Sequence, residues 1–100
     1  MQGLVGDFIR KHRLSTDASI RYMDLTSEVG ELGKEIIKAT DYGMKDFAQT
    51  PGTADELGDC LFSLLALSCA LGVDAEAQLR QAMDKYEARF AQKGNIASGE

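Results

Sequence analysis

Between Pro51-Gly52 and Gly72 lies a stretch that a chain of this size cannot bury on every side. From Leu57 to Leu71 nearly every residue is apolar, the exceptions being Gly58, Asp59, Ser63 and Ser68. Such a segment reads as a helix that is hydrophobic almost all round and buried on most of its surface. The 100 residues leave room for three or four helices in all, too few to surround it. The pattern therefore predicts a second chain packed against this helix, because an apolar strip left in water is a large exposed patch.

The other helices follow from periodicity and caps. A short first helix spans about Val5 to Arg13, with Phe8 and Ile9 as its apolar contacts. Ser15, Thr16 and Asp17 offer N-caps for a long second helix reaching about Tyr42, with Gly43 suited to the left-handed position after it. Ile20, Met23 or Leu25, Val29, Leu32, Ile36 and Ala39 recur at helical spacing along it. Gly30 and Gly33 each cost about 1 kcal/mol relative to Ala, which predicts a compensating close approach of a helix or ligand. Thr53-Ala54-Asp55-Glu56 has capping-box form and opens the third helix after the Met44–Gly52 loop. Asp74 caps a fourth helix to about Gln92, with Leu79, Ala82 or Met83, Tyr86 and Phe90 on its inner face, Gly94 beyond its end, and a frayed tail from Asn95 to Glu100. The expected fold is all-α, one domain of about four antiparallel helices completed by oligomerisation into a homodimer or homotetramer.

Composition narrows the partners. Sixteen acids against eleven bases give a net charge of −5, which disfavours a nucleic-acid binder dependent on clustered Lys and Arg. The opening MQGLVGDFIRKHR lacks the apolar core of a signal peptide, and Cys60 to Val73 is too short to span a bilayer, so a cytoplasmic protein with no membrane partner is expected. Cys60 and Cys69, about 13.5 Å apart on opposite faces of one helix, cannot form a disulfide and read as core residues.

The acids are placed informatively. Glu28, Glu31 and Glu35 on the second helix point within about 60° of one direction. Glu56 and Asp59 repeat the three-residue spacing on the third. Like charges so spaced repel by a few tenths of a kcal/mol per pair, more when partly buried. A hard divalent cation resolves the conflict, since Mg²⁺ accepts carboxylate oxygens and is usually shared with substrate phosphates. Solvated helix faces are the plain alternative, and it is weaker for Asp59, set in the most apolar helix of the chain. Glu56 also has a competing role as the reaching-back member of the capping box. The lone histidine, His12, argues against a di-iron bundle built on Glu-x-x-His pairs.

Ser27-Glu28-Val29-Gly30-Glu31-Leu32-Gly33-Lys34-Glu35 followed by Asp55-Glu56-Leu57-Gly58-Asp59 resembles the MazG-like nucleotide pyrophosphohydrolases of the all-α NTP pyrophosphatase superfamily. The resemblance covers roughly Ile20 to Phe90 and includes Lys85 and Arg89, which look like that family's basic pair on the last helix. It implies hydrolysis of a nucleoside triphosphate to the monophosphate and pyrophosphate, with Mg²⁺, or Mn²⁺ in its place, held by Glu28, Glu31, Glu56 and Asp59. Glu35 is left between binding a further ion and orienting the attacking water. Lys85 and Arg89 would neutralise charge on the leaving pyrophosphate, whereas Lys34 and Lys38 read as surface ion pairing. Phe8, Phe47 and His12 are candidates for contacting the base, though core or surface roles suit them as well. Two alternatives stay open: phosphoribosyl-ATP pyrophosphatase of the same superfamily, and a non-enzymatic metal- or partner-binding helical module.

Overall fold

A computed structural model describes residues 1–93; Gly94 and the Asn95–Glu100 tail lie outside the described residues. Four helices and no strand occur among the described residues: α1 (Gln2–His12), α2 (Ala18–Ala39), α3 (Pro51–Leu71) and α4 (Ala75–Lys93). None of these is by itself long and apolar enough to cross a membrane.

Several boundaries differ from the sequence expectation, each for a local reason. α1 begins at Gln2 rather than Val5 and ends at His12, with Arg13 left-handed at φ 54° as its C-cap. The Gln2 side chain explains the early start. Its Nε2 donates to the Val73 carbonyl at 2.7 Å, and its Oε1 accepts from the Ala75 N–H at 2.7 Å, tying α1 to the α3–α4 turn. α2 is capped by Asp17, whose carboxylate accepts from the Ile20 N–H at 3.1 Å. It stops at Ala39, short of Tyr42, because the Thr40 hydroxyl donates to the Ile37 carbonyl and accepts from the Gly43 N–H. A side chain that takes over backbone partners in this way competes with helix continuation. Asp41, Tyr42 and Gly43 then follow in positive φ.

The cap of α3 also shifts. Pro51 occupies the first turn, where its missing N–H is harmless, and Thr50 rather than Thr53 is the N-cap. Thr50 Oγ1 accepts from the Thr53 N–H at 3.2 Å while Thr53 Oγ1 accepts from the Thr50 N–H at 3.3 Å. Glu56 is thereby released from capping. At the far end Gly72, φ 66°, closes α3 as expected, and Asp74 accepts from the Ala77 N–H to start α4.

The core is small: Val5 and Ile9 of α1 pack on Leu65 and Ala66 of α3, with Phe62 and Ala75 beside them. α2 lies along α3, and α1 packs beside the C-terminal half of α3, from Gln2 near Val73 to Phe8 near Phe62. Residue pairing runs from Glu28 beside Asp59 to Glu35 beside Gly52, so α2 and α3 are antiparallel. Two helices therefore cover α3, and a flank carrying Leu57, Leu61 and Leu64 stays exposed within the chain. α4 departs at a bend of 101° and buries none of its residues, so Leu79, Met83, Tyr86 and Phe90 form an exposed stripe rather than a packed inner face, with Leu79 and Met83 lining an open groove against α3. The α2 stripe is likewise largely open, with Ile20, Met23, Val29 and Ile36 exposed. The expected close approach at Gly30 and Gly33 is absent among the described residues: a Cβ at either would meet nothing of theirs within 4 Å. Cys60 is buried as expected, whereas Cys69 is only half-buried against the Gln2 carbonyl.

Candidate metal centre

The antiparallel register of α2 and α3 sets Glu28 across from the turn that carries Glu56 and Asp59. One carboxylate oxygen from each of the three residues lies within 4.8 Å of the others. Ligands on opposite sides of an octahedral Mg²⁺ with 2.0–2.1 Å bonds stand about 4.2 Å apart, so small side-chain rotations bring these oxygens onto one ion. The donor set, all carboxylate oxygen, also suits a hard cation. Glu28 and Glu56 are half-buried, but Asp59 is exposed, contrary to its apolar sequence setting: its direction on α3 falls at the open rim of the pair. Glu31 is exposed and Glu35 half-buried, and both are near enough to act electrostatically on Glu56.

The crowding has a measurable result. Partial burial first, and then the charges of Asp59, Glu28, Glu31 and Glu35, push the Glu56 carboxyl above its ordinary pKa of 4.5. The native state thus holds this proton more tightly than the unfolded chain, so without metal this group loses stability as pH rises from 4.5 through its raised value. In chelator, Glu56→Gln should therefore melt higher than wild type at neutral pH, and the gap should close as pH falls toward 4.5; a gap that widens on acidification would contradict the crowding. Cys60 beneath the cluster responds in the same sense, its thiol raised by burial and then by Glu28, Glu56 and Asp59. It is an unreactive thiol at neutral pH.

Glu35 occupies a particular niche. Lys38 Nζ lies 3.2 Å from its carboxylate, and the carboxylate rests against Gly52 in the first turn of α3. A Cβ at position 52 would fall on Glu35 Oε1, so glycine is what lets the carboxylate sit there. The N-terminal end of α3 favours an anion at that point. Sequence reasoning missed Gly52, although its place after Pro51 in the helix's first turn was a usable signal. It also missed Arg21, buried against the Ser15 carbonyl at 2.8 Å and lining a small cleft with Ser27, Glu28 and Ser63.

The remaining candidates lie elsewhere. Lys85 and Arg89 project from α4 toward the ring of Tyr86, 5.9 and 6.0 Å from its centroid, and neither forms an ion pair among the described residues. Lys38 pairs as expected, while Lys34 has no ion-pair partner among those residues. Phe8 meets Phe62 of α3 edge-on at 5.8 Å and lies 4.5 Å from His12, an exposed residue of its own helix. Phe47 is exposed in the segment between α2 and α3.

The fold is all-α, and its two longest helices bring three carboxylates to one point where a divalent cation could be held. The family model for the MazG nucleotide pyrophosphohydrolase domain matches residues 17–92, from the α2 cap to the last turn of α4, and the chain belongs to this family. Comparison with curated proteins and with solved structures returns no significant match.

Proposed function

We propose that this chain is a Mg²⁺-dependent pyrophosphohydrolase that converts a nucleoside or deoxynucleoside triphosphate to its monophosphate and pyrophosphate, in cytoplasmic housekeeping of the nucleotide pool. The observation that carries the reading is the convergence of Glu28, Glu56 and Asp59 oxygens within 4.8 Å. Glu31, one turn from Glu28, completes the set that would hold the cation. When bound, Mg²⁺ supplies charge neutralisation for the polyphosphate and a lowered pKa for water.

The protein's own groups account for the rest. Attack of water oxygen on the α-phosphorus forms one P–O bond; the bond to the α,β-bridging oxygen breaks, and pyrophosphate leaves with that electron pair. Glu35, paired with Lys38 and resting against Gly52, would orient the water and take its proton. Lys85 and Arg89 would compensate charge growing on the departing pyrophosphate.

A panel of natural and modified triphosphates incubated with millimolar Mg²⁺, with products separated and identified, tests the assignment. Monophosphate and pyrophosphate in equal amounts, lost on chelation, is the expected result. Release of orthophosphate, or no turnover of any member, would contradict it.

A further inference from the structure

Arginine is seldom buried with its donors free. The Arg21 side chain is only 8% exposed, yet a single nitrogen is committed: Nε donates to the Ser15 carbonyl at 2.8 Å. Nη1 stands 3.6 Å from the Asp24 carboxylate, outside hydrogen-bond reach, and Nη2 has no partner among the described residues. Ser63 on α3 is in the same position. It is 5% exposed, and whereas the Ser68 hydroxyl donates to the Leu64 carbonyl, the Ser63 hydroxyl bonds to nothing among the described residues. No side-chain nitrogen or oxygen closed to water lacks a partner among those residues, so these free groups open on a cavity. It is a cleft of about 270 Å³ between α2 and α3, lined by Arg21, Asp24, Ser27, Glu28, Phe62 and Ser63.

The cleft adjoins the carboxylate cluster. Glu28 belongs to both, Asp24 lies one turn before it on α2, and Ser63 lies one turn after Asp59 on α3, about 6 Å along each helix. Its chemistry selects what it can hold. Arg21 and Asp24 balance in charge, and two carboxylates in the wall oppose a phosphate. A base stacks on a flat aromatic face, but the one aromatic here, Phe62, already meets the ring of Phe8 edge-on. Hydroxyl groups suit the lining, because each can accept from a guanidinium or a serine and donate to a carboxylate. The volume is also below the roughly 300–1,000 Å³ of a pocket that takes a whole ligand, so it suits one part of a larger molecule.

We propose that this cleft takes the sugar of the nucleotide, and that Arg21 and Asp24 select substrates by their furanose hydroxyls. The free Arg21 nitrogens donate to the hydroxyl oxygens, the Asp24 carboxylate accepts from a hydroxyl, and Ser27 and Ser63 supply further partners. In a nucleotide a single CH2–O link joins the furanose to the α-phosphate. A sugar seated beside Glu28 therefore leaves the α-phosphorus next to the carboxylate cluster, where the hydrolysis needs it. This assignment rests on the nucleotide reading above and adds the sugar as the part of the substrate that the chain reads.

Two measurements test it, the first without turnover. In protein labelled with nitrogen-15 at arginine, the Arg21 Nε–H resonance is identified by its loss in Arg21→Lys. With Mg²⁺ present, millimolar ribonucleoside monophosphates, which are products and not substrates, should shift this resonance, and the 2′,3′-dideoxy monophosphates should shift it far less. No shift with any base, or equal shifts with and without the hydroxyls, would overturn the assignment whether or not triphosphates are hydrolysed. The second compares ribo-, 2′-deoxy- and 2′,3′-dideoxynucleoside triphosphates of one base by kcat/KM. Hydrogen bonds to charged groups are strong enough that wild type should favour a hydroxylated substrate over the dideoxy one by about 10–100-fold. Arg21→Gln, and separately Asp24→Ala at an exposed position, should lower kcat/KM for the hydroxylated substrates and leave the dideoxy value within about 3-fold, so the preference collapses. Should Arg21→Gln not fold, Asp24→Ala decides. A wild type indifferent to the sugar, or a preference that survives in Asp24→Ala, would overturn the proposal. Absence of turnover with every triphosphate counts instead against the nucleotide reading, and the Arg21 resonance then judges the cleft by itself.

Discussion

Asp59→Asn, and separately Glu56→Gln, should lower Mg²⁺-dependent triphosphate turnover by at least about 100-fold, as loss of a group that organises transition-state charge commonly does. Both changes keep side-chain size and remove the charge. Asp59 is exposed, and a surface substitution typically moves stability by only about 0.5 kcal/mol. The helical circular dichroism signal should thus persist in both variants. Glu56→Gln goes further, since it relieves the repulsion that raises the Glu56 pKa and leaves the metal-free protein no less stable at neutral pH. Turnover within a few-fold of wild type in either variant would remove the cluster from the chemistry. Loss of turnover together with loss of helix would indicate a structural role instead.

The second large effect concerns the scaffold. Leu65 packs with Ala66 against Val5 and Ile9, and these few residues form the core that fastens α1 to α3. Leu65→Ala should cost about 2–5 kcal/mol, the usual range for a buried leucine truncated with incomplete collapse. For a chain of this length each kcal/mol is worth about 4–8 °C, so the midpoint should fall by at least about 8 °C. With so small a core there is little else to absorb the loss. A fall below about 3 °C, measured at fixed protein and Mg²⁺ concentration, would show that α1 is held chiefly by its Gln2 hydrogen bonds to Val73 and Ala75.

Much of this organisation was readable in the residues. Asp17, Asp74 and Gly72 mark their helix ends because each acts through local backbone chemistry, and the helical spacing of Glu28 and of Glu56 with Asp59 placed their carboxylates on definite faces. The convergence of those faces depended only on α2 and α3 being antiparallel neighbours. What escaped was decided by competition or by distance. Thr40 satisfies two backbone groups and ends α2 early, which no apolar periodicity records. Thr50 and Thr53 cap each other across Pro51, so the box read at Thr53 and Glu56 was one turn late. Asp59, placed among leucines, is nonetheless exposed, because its direction round α3 and not its neighbours in sequence sets its surroundings. The direction of α4 was the largest omission. Its apolar stripe signals that something covers it, but a stripe does not specify whether that partner is the same chain.

The central claim is that α2 and α3 share one divalent ion, and metal binding without nucleotide tests it most directly. Mn²⁺ titrated into the protein and followed by its paramagnetic signal should show one site that Glu28→Gln and Asp59→Asn each weaken by about 10–100-fold. Since the two carboxylates act on one ion, the double variant should lose much less than the product of the single losses. Equal affinities for wild type and both variants, or losses that multiply independently, would contradict a shared site.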